Sequence, residues 1–180
     1  MSKKILIIST SPRKNGNSEM LANSFARGAE SVGNEVEKVC LYDKTIGFCK
    51  GCLYCQKTKR CLIHDDADVI AQKMGKADII VFVTPIYYYE MSGQMKTMLD
   101  RSNPLYVSDY NFREIYLLAT AADDEPTAMD GAIKGLEGWV SCFEKAELKG
   151  VVKGLNADGI GTIKGNSAID EAFKMGAAIK

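Results

Sequence analysis

Ile79-Ile80-Val81-Phe82-Val83-Thr84-Pro85 is the clearest strand in the chain. Every residue from Ile79 to Val83 is β-branched or aromatic, and the run is continuously apolar, as in a strand covered on both faces. Thr84-Pro85 ends it, because proline has no N–H for a central ladder. Before this strand, Asp65 or Asp66 can cap a helix running to about Lys76. After it, Met95, Met98 and Leu99 mark a helix over 92–101. Ile5 to Ile8, ending at Ser9, is a second buried strand, followed by a helix from about Ser18 with Leu21, Phe25 and Ala29 on one face and Gly33 as its stop. Residues 35–41 alternate like an outer strand, with Val36, Val39 and Leu41 apolar. Further strands are expected over 114–119 and 150–155. Helices are expected from Met129 to about Lys145 (Ile133, Leu136, Val140) and over 167–180 (Ile169, Phe173, Ile179).

Five strands alternating with five helices predict a single α/β domain over 1–180, a three-layer sandwich around a five-stranded parallel sheet. Right-handed crossovers make 2-1-3-4-5 the economical order. In such a sheet ligands bind beyond the C-terminal strand ends, at the switch between strands 1 and 3. That rule nominates loops 9–18, 84–93 and 120–128.

Bulk numbers narrow the partners. The chain has 180 residues, with 23 Lys+Arg against 23 Asp+Glu. Zero net charge and the lack of a basic patch argue against nucleic acid. No run approaches the roughly 18 apolar residues of a membrane span. The apolar start, Ile5 to Ile8, is too short for a signal-peptide core. The expectation is a cytoplasmic protein with no membrane association.

Loop 9–18 is rich in hydroxyls, carries Arg13 and leads into a helix N-terminus, a natural anion site. Ser9, Ser11, Asn17 and Ser18 can donate hydrogen bonds, and Arg13 can pair with the charge. Neither Gly-x-x-x-x-Gly-Lys-Ser/Thr nor Gly-x-Gly-x-x-Gly follows the first strand, so a monophosphate suits the loop better than a triphosphate or dinucleotide. The competing reading is an ordinary capped turn. Pro85-Ile86-Tyr87-Tyr88-Tyr89-Glu90-Met91-Ser92-Gly93 places aromatic and small residues at a strand's C-terminal end, which suits a flat heteroaromatic ring. Packing or a subunit interface is the alternative for at least one of these tyrosines.

Four of the six cysteines, Cys49, Cys52, Cys55 and Cys61, form C-x2-C-x2-C-x5-C. Four thiolates at this spacing suit a 4Fe–4S cluster. Zinc would show two separated pairs. Free thiols are the third reading, and Lys50, Lys57, Lys59 and Arg60 suit a thiolate-lowering environment or an anion-binding lid equally well. Cys40 and Cys142 lie outside the motif and read as buried hydrophobes.

Ser-Pro-Arg-x-x-x-Asn-Ser after strand 1, with Thr-Pro-Ile-Tyr and Ser-Gly-Gln-Met-Lys-x-x-Leu-Asp-Arg, resembles the NADPH-dependent FMN reductase family over nearly the whole chain. The resemblance implies a flavodoxin-like fold, FMN as cofactor and NAD(P)H as co-substrate. It implies that Ser9, Ser11, Arg13, Asn17 and Ser18 hold the FMN phosphate, that Pro85, Ile86, Tyr87 and Tyr88 line the ring, and that Thr120, Ala121 and Ala122 form the third loop. Thr10 stands where many members have glycine. The cysteine spacing resembles that of the iron–sulfur flavoproteins, a branch of the same fold, although Phe48 replaces the proline common before the first cysteine.

The function expected is electron transfer from reduced nicotinamide through FMN to a small acceptor: a flavin, quinone, nitro or azo compound. A homodimer or homotetramer would cover the flavin. Two alternatives stay open: an iron–sulfur flavoprotein fed by ferredoxin, and a non-catalytic flavodoxin-like regulator. No acid–base residue is assigned. His64, the only histidine, is a helix start with Asp65-Asp66, and no Gly-x-Ser-x-Gly elbow supports a hydrolase. Asp123-Asp124-Glu125 reads as a solvated turn and Gly159-Ile160-Gly161 as a flexible one.

Overall fold

The structure, a computed structural model, describes residues 2–180. In chain order the elements are β1 (Lys4–Ser9), α1 (Asn17–Ser31), β2 (Glu35–Cys40), α2 (Tyr54–Thr58), α3 (Asp66–Lys76), β3 (Ile79–Tyr87), β4 (Glu90–Met91), α4 (Gly93–Arg101), β5 (Glu114–Thr120), α5 (Asp130–Val140), β6 (Glu147–Gly154) and α6 (Ser167–Ala177). The sheet runs β2-β1-β3-β5-β6, with β4 paired to β3 outside this path. The pairs along the path are all parallel. This is the flavodoxin-like order expected from the βα alternation.

Strand residues alternate between two cores. Leu6, Ile8, Ile80, Phe82, Ile115 and Leu117 pack on one side against Ile70 and Met74 of α3, Met95 and Met98 of α4 and Leu136 of α5. Ile5, Ile7, Ile79, Val81 and Leu118 pack on the other against Leu21 and Phe25 of α1 and Ala168 and Ala172 of α6. Both faces are therefore dry. Each fully buried Ile, Leu or Phe contributes about 1.5–3 kcal/mol of transfer free energy. The central strands must be apolar on successive residues, which is why Ile79 to Val83 shows no period-2 pattern.

Three boundaries differ from expectation. The last strand starts at Glu147, not Gly150, because Lys149 is bulged out: Ile115 pairs with Leu148 but Tyr116 with Gly150. Helix α5 stops at Val140, not near Lys145. The Cys142 and Phe143 N–H groups turn back to the Trp139 and Val140 carbonyls (3.1 and 2.9 Å). That turn drops Phe143 onto Tyr110, Phe112 and Trp139, with ring centroids 4.6–5.2 Å away. Strand β3 also continues through Pro85 to Tyr87. There it folds back on β4 in a two-residue hairpin with Ile86 opposite Met91 and Tyr87 opposite Glu90.

Candidate functional site

Beyond the C-terminal ends of β1, β3 and β5 lies a pocket of about 190 Å³. Ser11, Arg13, Asn17 and Ser18 line it from the first loop, Pro85, Ile86 and Tyr87 from the second, and Thr120 and Ala122 from the third. The three nominated loops thus meet in one place. Ser9, Tyr88 and Ala121 are not on its wall. Ser9 is enclosed within β1, Ala121 is buried, and Tyr88 is fully exposed at the hairpin tip.

Buried hydroxyls fix the loops relative to one another. Thr10 Oγ1 donates to the Val83 carbonyl (3.0 Å) and lies 2.9 Å from Ser92 Oγ. Ser92 N–H donates to Thr84 Oγ1 (3.0 Å), and Ser92 Oγ caps α4 by accepting from Met95 N–H (3.2 Å). The threonine that replaces glycine in the first loop is therefore the link between the ends of β1 and β3. Ser18 and Thr120 hydroxyls lie 2.8 Å apart and join α1 to the end of β5.

The anion-binding capacity sits at the head of α1. Its N-cap is Gly16, which offers no side-chain acceptor, so first-turn N–H groups stay free for a ligand. A Cβ on Gly16 would meet Arg13 O at 3.3 Å, so glycine keeps this bend narrow. Arg13 has one modest hydrogen bond, Nη1 to Asp158 O at 3.3 Å, which leaves most of its fork to pair with an anion. Ser11 Oγ accepts from Arg13 N–H (3.1 Å) and shapes the turn.

Asn17 corrects the expectation of a side chain free to hold a phosphate. Its Nδ2 donates to Ala157 O, Gly159 O and Thr162 Oγ1 (3.0, 2.7 and 3.2 Å). Its Oδ1 accepts from Gly161 and Ile163 N–H groups (2.8 and 3.4 Å). The amide is committed to holding a fourth loop, after β6, against the pocket. That loop contributes Ala157, Asp158 and Ile160 to the wall, so the turn over 159–161 borders the pocket through Ile160. The signal lay in an asparagine at the first turn of α1, but its partners are 140 or more residues away.

The second loop is strained. Tyr88 and Tyr89 occupy the left-handed region (φ 50° and 63°), which bulky residues rarely adopt. The hairpin is pressed onto α5: a Cβ on Gly131 would come 2.6 Å from Tyr89 O.

The four motif cysteines line a separate cavity of about 160 Å³, bounded by Asp100, Arg101 and Asn103. Leu53, Lys59 and Gly51 adopt positive φ (57°, 57° and 62°), bending the 49–61 segment around it. N–H donors reach three sulfurs: Gly51 N to Cys49 (3.5 Å), Ile63 N to Cys61 (3.4 Å) and Asn103 Nδ2 to Cys55 (3.1 Å). Arg60 pairs with Asp68, and that guanidinium holds the buried Asp68 carboxyl below the usual carboxylate range. No three His, Cys, Asp or Glu side chains among the described residues gather as a single-ion site. Cys142 is exposed and Cys40 half-buried, so neither is the core hydrophobe expected. Burial raises the Cys40 thiol pKa.

A parallel sheet in this order, with a hydroxyl-rich loop at the first strand and an aromatic segment at the third, defines a flavodoxin-like protein. Residues 3–128 match the family described as NADPH-dependent FMN reductase, and the chain belongs to that family. Among curated proteins, an iron-sulfur flavoprotein of Methanocaldococcus jannaschii is 39% identical over 102 residues, 57% of this chain and 53% of its own length. One from Methanosarcina thermophila is 36% identical over 99 residues, 55% and 52% of the two chains. The chain spans about half the length of these relatives. Among solved structures, an FMN-dependent NADH-azoreductase from Bacillus anthracis in complex with FMN aligns with TM-score 0.71 at 15% identity, over 98% of both chains. An NAD(P)H:quinone oxidoreductase from Methanothermobacter marburgensis gives 0.70 at 16%, over 98% of this chain and 96% of that one. At these identities the two share the fold. No helix among the described residues is long and apolar enough to cross a membrane.

Proposed function

We propose that residues 1–180 act as one FMN-binding domain that takes electrons from NADH or NADPH and passes them to a small organic acceptor such as a free flavin, a quinone, or a nitro or azo compound. The observation that carries this reading is the convergence of an uncapped helix N-terminus, Arg13 and the Pro85-Ile86-Tyr87 wall on a single pocket. The donor set fits the cofactor: N–H groups and a guanidinium for a terminal phosphate, and a flat, half-apolar wall for a ring. In this arrangement α1 and Arg13 hold the phosphate, with Ser11 and Ser18 beside it. Pro85, Ile86 and Tyr87 flank the ring, and Thr120 and Ala122 border its pyrimidine end. Ser9 and Ala121 act by holding strand ends in register, and Asn17 by holding the 157–163 loop.

When bound, FMN supplies two-electron chemistry with the nicotinamide; the chain supplies placement, electrostatics and access. The exposed Tyr88, Tyr89 and Ile160 around the mouth suit cover by a second copy, in a homodimer or homotetramer. All six cysteines are free, which suits the reducing cytoplasm.

The cysteine cavity favours a second electron-carrying group, a 4Fe–4S cluster on Cys49, Cys52, Cys55 and Cys61, with ferredoxin as an electron donor. Four cysteines lining one cavity, with nitrogen donors directed at three of the sulfurs, suit an anionic sulfur-ligated group. Anaerobic purification followed by a spectrum before and after NADPH tests both readings. A flavin band bleached by NADPH is the expected result, with stoichiometric iron and acid-labile sulfide if the cysteines hold a cluster. Protein that stays colourless when offered FMN would refute the main reading.

A further inference from the structure

The end of α4 walls one side of the cysteine cavity and carries two nitrogen donors that the reading above leaves without a role. Asn103 Nδ2 lies 3.1 Å from Cys55 Sγ. Arg101 is 1% exposed. Its Nη1 donates to Gly47 O and Asp65 Oδ2 (2.6 and 2.7 Å), and its Nη2 to Ile63 O and Asp65 Oδ1 (3.0 and 2.8 Å). The Nε–H is left over, a buried donor with no partner. Native structures rarely leave such a group unpaired, and a bound ligand is one of the few partners that satisfies one. Both residues line the cavity that holds the four sulfurs, Cys61 among them.

The location sharpens the point. A helix C-terminus presents carbonyls and the negative end of the dipole, which disfavours sulfur anions. An anionic sulfur group held there needs N–H donors to offset that field. The Asp65 carboxylate already neutralises the Arg101 charge, so what Arg101 has left to offer is the directional Nε–H.

We propose that Arg101 and Asn103 are positioning residues for the group held by the cysteines: Asn103 donates to the Cys55 thiolate, and Arg101 Nε donates to a sulfur of the group in the same cavity. This rests on the 4Fe–4S reading of the cavity. Hydrogen bonds to the sulfurs stabilise the more negative, reduced form and so raise the reduction potential. Arg101 has a second effect, because its other hydrogen bonds clamp Gly47 and Ile63 at the two ends of the cysteine segment.

The experiment reconstitutes the full chain anaerobically with ferrous iron and sulfide. It then measures iron, acid-labile sulfide and the midpoint potential by EPR-monitored titration. Asn103→Leu should keep wild-type iron and sulfide but shift the potential to a more negative value, and Asn103→Ser, which restores a donor, should recover part of the shift. Arg101→Lys should lose iron to a chelator at least tenfold faster than wild type. Should this buried substitution fail to fold, as read by circular dichroism, the Asn103 pair still decides. An unchanged potential in Asn103→Leu with the cluster intact would overturn the inference and leave the cluster reading standing. A wild-type chain that takes up no iron and sulfide would overturn both.

Discussion

Asp65 and Arg101 form a two-pronged ion pair, with Oδ2 2.7 Å from Nη1 and Oδ1 2.8 Å from Nη2. The Arg101 side chain is fully buried and that of Asp65 nearly so. Asp65 also caps α3 through Ala67 N–H (3.1 Å) and accepts from Gly47 N–H (2.8 Å). One carboxylate thus joins α3, α4 and the start of the cysteine segment. Burial pushes its pKa up, but the Arg101 guanidinium and the two backbone N–H groups more than offset that and hold it below the ordinary value. The pair's contribution is therefore complete above the unfolded-state pKa of about 3.9 and is lost as pH falls through the lower folded value. Asp65→Asn should cost about 3–5 kcal/mol, since it leaves Arg101 buried and unpaired. Urea unfolding at pH 7 and pH 3 checks this: the variant should lose less stability between the two than wild type.

Arg13 is expected to act on the phosphate and nothing else. Arg13→Ala should weaken FMN binding by roughly 10- to 100-fold, the equivalent of a charge-assisted hydrogen bond worth about 1.5–3 kcal/mol. Riboflavin, which lacks the phosphate, should bind wild type and variant alike. Flavin fluorescence titration with both ligands measures the contrast. Equal weakening for the two would show that Arg13 shapes the pocket and does not pair with the anion.

Asn17 should behave differently from its hydroxyl neighbours. Asn17→Ala leaves the Gly161 N–H and the Ala157 carbonyl without their partner, at a cost of about 1–3 kcal/mol. Amide hydrogen exchange should quicken over 157–163 while β1 and β3 stay protected. FMN and riboflavin should lose affinity together, because the lost element is a wall and not a phosphate donor.

These contrasts trace what could be read from the chain. The run from Ile79 to Val83 gave away its burial on both faces, since no polar residue interrupts it, and the sheet order followed from alternation and handedness. The hairpin at Tyr88-Tyr89 had no such signal. It lacks the Asn-Gly chemistry of tight turns, and its shape is imposed by contact with α5 at Gly131, distant in sequence. The 157–163 loop was hidden for the same reason, because two glycines look mobile until Asn17 is placed beside them. Cysteine spacing announced the ligand type. That α4 would bring Arg101 and Asn103 to the same cavity depended on tertiary packing.

The Tyr88 side chain is fully exposed while its backbone sits at φ 50°. Nothing within the chain repays the strain of a tyrosine there, and asparagine tolerates this region far better. Tyr88→Asn should raise the stability of the monomer by about 0.5–1 kcal/mol, read by thermal unfolding at low protein concentration. If a second copy covers the mouth, the same substitution should weaken association in sedimentation velocity.

Helices α1 and α6 touch through their backbones. A Cβ on Gly28 would collide with the Phe173 carbonyl oxygen, and one on Gly176 with the Phe25 carbonyl oxygen, so the contact is reciprocal. A flexible side chain could move aside, but a carbonyl fixed in a helix cannot. Gly28→Ala must therefore push the helices apart and loosen the core beneath them, where Leu21, Phe25 and Ala172 meet. The expected loss is about 3 kcal/mol, at the upper end for overpacking, or roughly 6–12 °C in Tm for a chain of this size. Gly138 supplies the opposite case: it lies on the exposed face of α5, and nothing approaches its Cβ position within 4 Å. Gly138→Ala should stabilise by about 0.5–1 kcal/mol through helix propensity alone. A pair of melts with shifts of opposite sign would confirm that the spacing between α1 and α6 is set by glycine; a Gly28→Ala protein as stable as wild type would mean that the helices can separate freely.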